Sequence, residues 1–309
     1  LVHRIESETL DHLPGKKIIY LKWQELEAGI ETILRETKRV AMEFSPRNAN
    51  PYISRVDAGT VELVGESVES VVPSGDLVQL FEAVWDQEQW ELHQRAGIHT
   101  DKAFEVAWQF IATKIREQGS VEEQAVCDVI MQHFHETGTG KETLIREGQF
   151  VLIDLWAKLD VPRGVYSDMT RVGFTGKTVP EQYTQVFKIV AAARDAGISL
   201  IEKSFQSKAP LQGWEVDQAC REVIEDAGYG EYFVHRTGHS IGQETHGNGA
   251  NMDNLETHEE RLVLPQTCFS IEPGIYLPEF GVRSEINVFI DEQHQVHVTA
   301  GERQTEILP

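Results

Sequence analysis

Val151-Leu152-Ile153-Asp154-Leu155-Trp156 is an apolar run with one carboxylate inside it, and Tyr166-Ser167-Asp168-Met169-Thr170-Arg171 repeats the arrangement after a turn signal at Pro162-Arg163-Gly164. Two strand-like segments, 149–156 and 165–174, separated by such a turn read as an antiparallel hairpin. Near the C-terminus, Phe269-Ser270-Ile271-Glu272-Pro273-Gly274 and Gly281-Val282-Arg283-Ser284-Glu285-Ile286 form a second pair of strands with embedded acids. An ionised carboxylate in an apolar setting is costly unless a cation compensates it. Taken singly, each acid is an ordinary ion-pair partner. Taken as a set of four, with only Arg171 and Arg283 close by in sequence, they point to divalent metal.

Working outward, each acidic hairpin is preceded by helical patterns, three before the first and two before the second. Helices are expected at 87–97, 99–117 and 121–135, the last with Ser120 as N-cap and Glu123 at capping-box spacing. Helices at 181–205 and 216–227, the latter stopped by Gly228, precede the second hairpin. Its strands are expected at 267–276, interrupted at Pro273-Gly274, then 282–291 and 296–299. The first third reads as a small α/β unit. Residues 1–5 read as part of a strand. Further strands are expected at 17–21, 39–44, 61–64 and 67–72, and helices at 23–36 and 76–84, with Ser74 as the cap of the second. The expected organisation is therefore α/β (α+β), with a partial N-terminal unit over 1–85 and a larger domain over 86–309.

Composition removes several function classes. The 309 residues carry 50 acidic and 28 basic side chains, a formal net charge of −22, which repels phosphate backbones and argues against nucleic-acid partners. Cys127, Cys220 and Cys268 are the only cysteines, and no CxxC pair occurs, so a reducing, cytoplasmic setting is expected. No apolar run approaches the roughly 18 residues of a membrane span, so no membrane partner is expected. No signal peptide is visible, and a chain opening on Leu1 reads as trimmed.

The histidine to complete a metal site is sought in His235-Arg236-Thr237-Gly238-His239. The spacing matches a helical zinc-protease motif, but Arg236 stands where the general-base Glu would be and Gly238 breaks the helix, so a loop or strand end is expected. His246 follows. His93, His99, His294 and His297 belong to no motif and read as surface or packing residues. Four carboxylates and one imidazole form a hard donor set suited to Mn²⁺, Co²⁺, Fe²⁺ or Zn²⁺, and their charge balances two such ions.

These segments resemble the pita-bread metallopeptidases (methionine aminopeptidase, aminopeptidase P, prolidase and the related creatinase), most closely the aminopeptidase P, prolidase and creatinase branch. The matching residues are Val151 to Asp154, Ser167 to Arg171, His235 to His239, Ile271 to Tyr276 and Gly281 to Glu285, in that order. The resemblance implies a pita-bread catalytic domain with a pseudo-twofold repeat, the end of a smaller N-terminal domain, and two divalent ions, manganese foremost. It implies Asp154, Asp168, His239, Glu272 and Glu285 as metal ligands. Glu272 would also transfer a proton, His235 and His246 would contact substrate and intermediate, and Arg283 would orient Asp168 or Glu285. The implied reaction is cleavage of Xaa-Pro bonds in proline-containing peptides by a hydroxide held between the ions, in a chain whose relatives are commonly homodimers. Prolidase and aminopeptidase P stay undecided, and a metal-free creatinase-like hydrolase or a non-catalytic binding relative are the alternatives. Two departures stand out. Asp168 follows Asp154 by fourteen residues, longer than usual, with Asp160 then a turn residue. A family loop bearing a substrate-contacting His is missing before the first acidic strand, and neither His133 nor His135 replaces it. The expectation is a chain break near 135–141 beside the metal cleft.

Overall fold

The computed structural model describes residues 1–134, 144–299 and 301–308. The expected break at 135–141 lies outside the described residues. Contacts divide the chain into two compact units, Leu1–Leu77 and Val78–Pro309, a division earlier than the expected 85/86.

The first unit holds β1 (Val2–His3), β2 (Ile19–Tyr20), α1 (Trp23–Leu34), β3 (Arg39–Met42), α2 (Ala58–Gly65) and β4 (Ser70–Pro73). β1 pairs with β2 and β3 with β4, both in parallel. The β3–α2–β4 segment is thus a crossover unit. The chain leaves β1 at once through a 3₁₀ turn, Arg4–Glu6, so the strand expected over 1–5 is short. The strand expected at 61–64 is instead part of α2. Asp57 caps that helix by accepting from the Thr60 N–H at 3.0 Å, and a short apolar run does not distinguish strand from helix. The division between the units falls inside α3 (Gly75–Glu82). The Ser74 hydroxyl has no hydrogen-bond partner and does not cap it; the Ser74 N–H instead donates to Met42 O.

The second unit begins with α4 (Gln87–Gln118), one continuous helix where two were expected. Asp86 and Gln89 form its capping box, and Gly119 ends it in the left-handed conformation at φ 74°. Gly97 sits in its interior because the buried face Ala96, Thr100, Ala103, Phe104, Ala107 and Ile111 runs straight through. Packing of that stripe outweighs the cost of one helical glycine, about 1 kcal/mol. Next come β5 (Ser120–Glu122), α5 (Glu123–Phe134) and β6 (Leu144–Arg146). Residues 120–122 were expected to start the helix, but they pair with β6 and bury Val121. β7 (Phe150–Ala157) and β8 (Ser167–Phe174) form the first hairpin. α6 (Glu181–Ser207) and α7 (Gly213–Asp226) follow.

The remaining strands are β9 (Ser240–Ile241), β10 (Cys268–Ile271), β11 (Gly274–Tyr276), β12 (Gly281–Arg283), β13 (Ile286–Ile290) and β14 (Val296–Thr299). They build a four-stranded sheet in the order β14-β13-β10-β9 and a separate β11-β12 ribbon. The order helix, helix, acidic hairpin thus occurs twice. Each copy has its own core: α4, α5 and β7 meet around Phe104, Ile111, Ile153 and Met169, while α6, α7 and the later strands meet around Phe187, Ile201, Ile224 and Ile271. Every residue of β8, β10 and β13 is buried. Asn287 of β13 clamps β8 by accepting from Asp168 N at 3.0 Å and donating to Asp168 O at 2.6 Å. No helix among the described residues is long and apolar enough to cross a membrane.

Candidate metal centre

The first hairpin places its acids by alternation. In the ladder Asp154 faces Thr170 and Trp156 faces Asp168. Directly opposed residues share a face, so in this register all four side chains point the same way. Val151, Ile153 and Leu155 bury the opposite face of β7. Arg171, expected near these acids, is on the other face of β8 and pairs with Asp101 at 3.4 Å.

The second pair of acids is placed by an interruption. The β10–β13 ladder ends at Ile271↔Ile286, and Glu272 and Glu285 are the next residue on each side. Pro273 follows, and the pairing resumes in β11–β12 at Gly274↔Arg283. Between these ladders the two carboxylates turn into the same cavity as Asp154 and Asp168. That cavity has a volume of about 610 Å³.

His239 enters from the loop before β9. Gly238 lies so close to β10 that a Cβ there would come within 2.0 Å of Ser270 O. This close approach sets the imidazole beside Glu272. The Ser270 hydroxyl accepts from His239 N at 3.0 Å and donates to Glu272 Oε1 at 2.9 Å. His239 Nδ1 donates to Ser240 O at 3.1 Å, which leaves Nε2 facing Asp168 Oδ2 and Glu272 Oε1, each at 3.4 Å. One ligand atom from each of Asp168, His239 and Glu285 lies within 4.8 Å of the others.

His235 and His246 line the same cavity. The His235 Nδ1–H donates to Arg236 O at 2.7 Å, so its Nε2 accepts from the Tyr276 hydroxyl at 2.9 Å. The His246 ring centroid is 4.3 Å from that of His239. Burial lowers the pKa of both. His93, read as surface or packing, is fully buried between Tyr166 O and the Thr299 hydroxyl.

Arg283 does not reach Asp168 or Glu285 as expected. Its guanidinium ion-pairs with Asp154, donates to the Thr170 hydroxyl at 2.9 Å and approaches Glu272 at 3.6 Å. The Thr170 hydroxyl lies 3.0 Å from Asp154 Oδ1 and 2.8 Å from Glu285 Oε2, shared between the two hairpins. Sequence reasoning gave Thr170 no role, although alternation from Asp168 would have put it on the site face. Tyr276 and Ser270 carried no signal beyond their position in the motif around Glu272.

The electrostatics are those of a site built around cations. Burial, then Glu272, Asp168 and Asp154, hold the Glu285 carboxyl well above the usual range. Its Oε1 is buried with no hydrogen-bond partner. Burial raises Asp168 as well. Burial alone would lower His239, but the adjoining Asp168 and Glu272 outweigh it and the net shift is upward. One arginine cannot neutralise four acids. An orphaned carboxylate oxygen, an imidazole nitrogen facing two carboxylates and an oxygen-rich donor set together fit hard divalent ions.

The sequence profile of metallopeptidase family M24 matches residues 128–292. Among curated relatives, the chain is 28% identical over 245 residues to an Xaa-Pro dipeptidase of Pyrococcus furiosus, covering 74% of this chain and 66% of the relative. It is 34% identical over 158 residues to a putative Xaa-Pro aminopeptidase of Mycoplasma pneumoniae, covering 50% and 41%. The chain thus spans less than two thirds of the length of these relatives. Among solved structures, an Xaa-Pro dipeptidase from Bacillus anthracis superposes with a TM-score of 0.60 at 21% identity, covering 100% of this chain and 85% of that one. A prolidase from Pyrococcus horikoshii OT3 gives 0.61 at 20%, covering 99% and 85%. At these identities the likeness is one of fold.

Proposed function

This chain belongs to metallopeptidase family M24, and from that we propose that it is a dinuclear metal-dependent exopeptidase acting on Xaa-Pro bonds. The observation that carries the reading is the convergence of Asp168, His239 and Glu285 ligand atoms within 4.8 Å, with Glu285 Oε1 orphaned and Asp154 and Glu272 on the same cavity. All five are assigned as ligands of two divalent ions, manganese foremost. When bound, such ions polarise the scissile carbonyl and lower the pKa of a coordinated water.

The chain's own residues divide the rest of the work. Ser240 O fixes the His239 tautomer, and Arg283 holds Asp154 and Glu272 apart from each other's charge. Glu272, held at Oε1 by Ser270 and approached at Oε2 by Arg283, takes the proton from the attacking water. It passes that proton to the leaving prolyl nitrogen, which has none of its own. His246 contacts substrate from the rim. His235 acts with Tyr276 as one hydrogen-bonded unit. A cytoplasmic setting is part of this reading, and the three unpaired cysteines support it.

The test is hydrolysis of alanyl-proline, alanyl-prolyl-alanine and alanyl-alanine before and after chelation and Mn²⁺ addition. Mn²⁺-dependent cleavage confined to the proline peptides is expected, and the preferred length separates dipeptidase from aminopeptidase P. Chelator-insensitive cleavage, or none in any condition, would refute the reading.

A further inference from the structure

We propose that Arg236 forms a carboxylate subsite in the metal cavity and selects short peptides by their free C-terminus. The inference rests on the peptidase reading and adds to it the substrate group that is recognised.

Two guanidinium groups line the cavity, Arg236 and Arg283. Arg283 is consumed by Asp154, Thr170 and Glu272. Arg236 is different. Its side chain is only 15% exposed, yet among the described residues its guanidinium has one partner, Glu256 at 3.9 Å. Glu256 accepts from Arg236 N through Oε1 at 3.2 Å, so its Oε2 meets the guanidinium only at that longer distance. A guanidinium has five N–H donors, and those of Arg236 that Glu256 does not meet open onto the cavity, where an anionic substrate group can replace water on them.

The backbone holds this side chain in place from both sides. Arg221 of α7 donates to His235 O at 2.8 Å, and Asp217 accepts from Thr237 N at 2.8 Å. Asp217 and Arg221 are themselves a buried ion pair at 2.8 Å. Arg236 therefore sits on a pinned loop between His235 and His239, and its charge is felt at His246. Besides the assigned ligands and Arg283, the charged residues lining the cavity are Arg236, Glu244 and Glu256, so among the described residues Arg236 is the guanidinium there that an anionic substrate group can meet. A carboxylate matches the planar fork of arginine in two parallel hydrogen bonds. Each residue of extended peptide adds about 3.3–3.6 Å, so the span from the ions to Arg236 also sets the substrate length.

The experiment compares kcat/KM for alanyl-proline and alanyl-prolyl-alanine with their C-terminal amides, in the Mn²⁺-loaded wild type, Arg236→Gln and Arg236→Lys. Wild type should prefer the free acid of at least one length. Arg236→Gln should lose that preference by about tenfold to a hundredfold, mainly through KM, with the amides little changed, and Arg236→Lys should regain part of it. Equal losses on acids and amides would mean that Arg236 only braces Glu256, and would overturn the subsite. So would an unchanged acid-to-amide ratio. Calorimetric binding of the same peptides keeps the two readings separate. An Arg236-dependent preference for the acid in binding, without hydrolysis by any protein, would overturn the peptidase reading and leave the subsite standing. No such preference in binding or turnover would overturn the subsite alone.

Discussion

The two hairpins deliver carboxylates to one cavity by opposite means. β7–β8 is an unbroken ladder from Phe150↔Phe174 to Ala157↔Ser167, and its acids arrive through the two-residue alternation of a strand. The later pair arrives through a gap, where β10–β13 stops and β11–β12 takes over. A regular ladder accommodates a long turn as long as the turn keeps the register, since a one-residue slip would put the two acids on opposite faces. A gap depends on the residues that make it, here Pro273 and the Ser284-Glu285 step. Thr170 and Asn287 tie the regular hairpin to the interrupted one.

The comparison breaks most severely when a ligand is removed from either side. Asp168→Asn and Glu285→Gln are each expected to abolish turnover with loss of bound metal, measured together by peptide assay and elemental analysis. If only one hairpin proved sensitive, the two would not share a site. Next is Glu272→Gln, where proton transfer is removed along with a ligand: a loss of about 10²–10⁴ in kcat is expected, with peptide binding still measurable by calorimetry. Activity within a few-fold of wild type would take Glu272 out of the mechanism. Thr170→Val then tests the bridge between the hairpins. Removal of an outer hydrogen bond of this kind costs about 10–100-fold in metal affinity or activity. Thr170→Ser should restore most of it, and a silent Thr170→Val would show that the hairpins are not coupled through this hydroxyl.

The smallest effect concerns His93, which joins Tyr166 at the entry of the first hairpin to Thr299 of β14. Burial lowers its pKa to about 4, below the ordinary value near 6.5. The unfolded chain therefore binds more protons between those values. The stabilisation is complete above about pH 6.5 and is lost as pH falls through 4, by roughly 3 kcal/mol in all. Denaturant unfolding across this range should show a shallower slope for His93→Gln. An identical slope would assign the pH dependence to other groups.

Much of this was legible because burial and charge conflict openly in the sequence. An acid inside Val151 to Trp156 is conspicuous, and so is one after Phe269-Ser270-Ile271. Alternation carries Asp154 and Asp168 to one face once the hairpin register is set. What brings Glu272 and Glu285 together is a break in pairing, which no periodicity announces; the sequence showed the interruption at Pro273-Gly274 and the conflict of charge with burial, but not how the two acids meet. The partners of Arg283 were misread because a long side chain reaches across strands, and sequence proximity to Glu285 says nothing about where its guanidinium lands. The helix break expected at Gly97 and the strand expected at 61–64 failed for a related reason: local propensity was overridden by a buried stripe in one case and by the Asp57 cap in the other.

The central claim is that side chains from both hairpins hold two ions together. Native mass spectrometry of the Mn²⁺-loaded wild type, Asp168→Asn and Glu285→Gln tests it most directly. The account predicts two ions per wild-type chain and a loss of bound metal in each variant, one drawn from each hairpin. A wild type that binds no manganese, or variants that keep both ions, would contradict it.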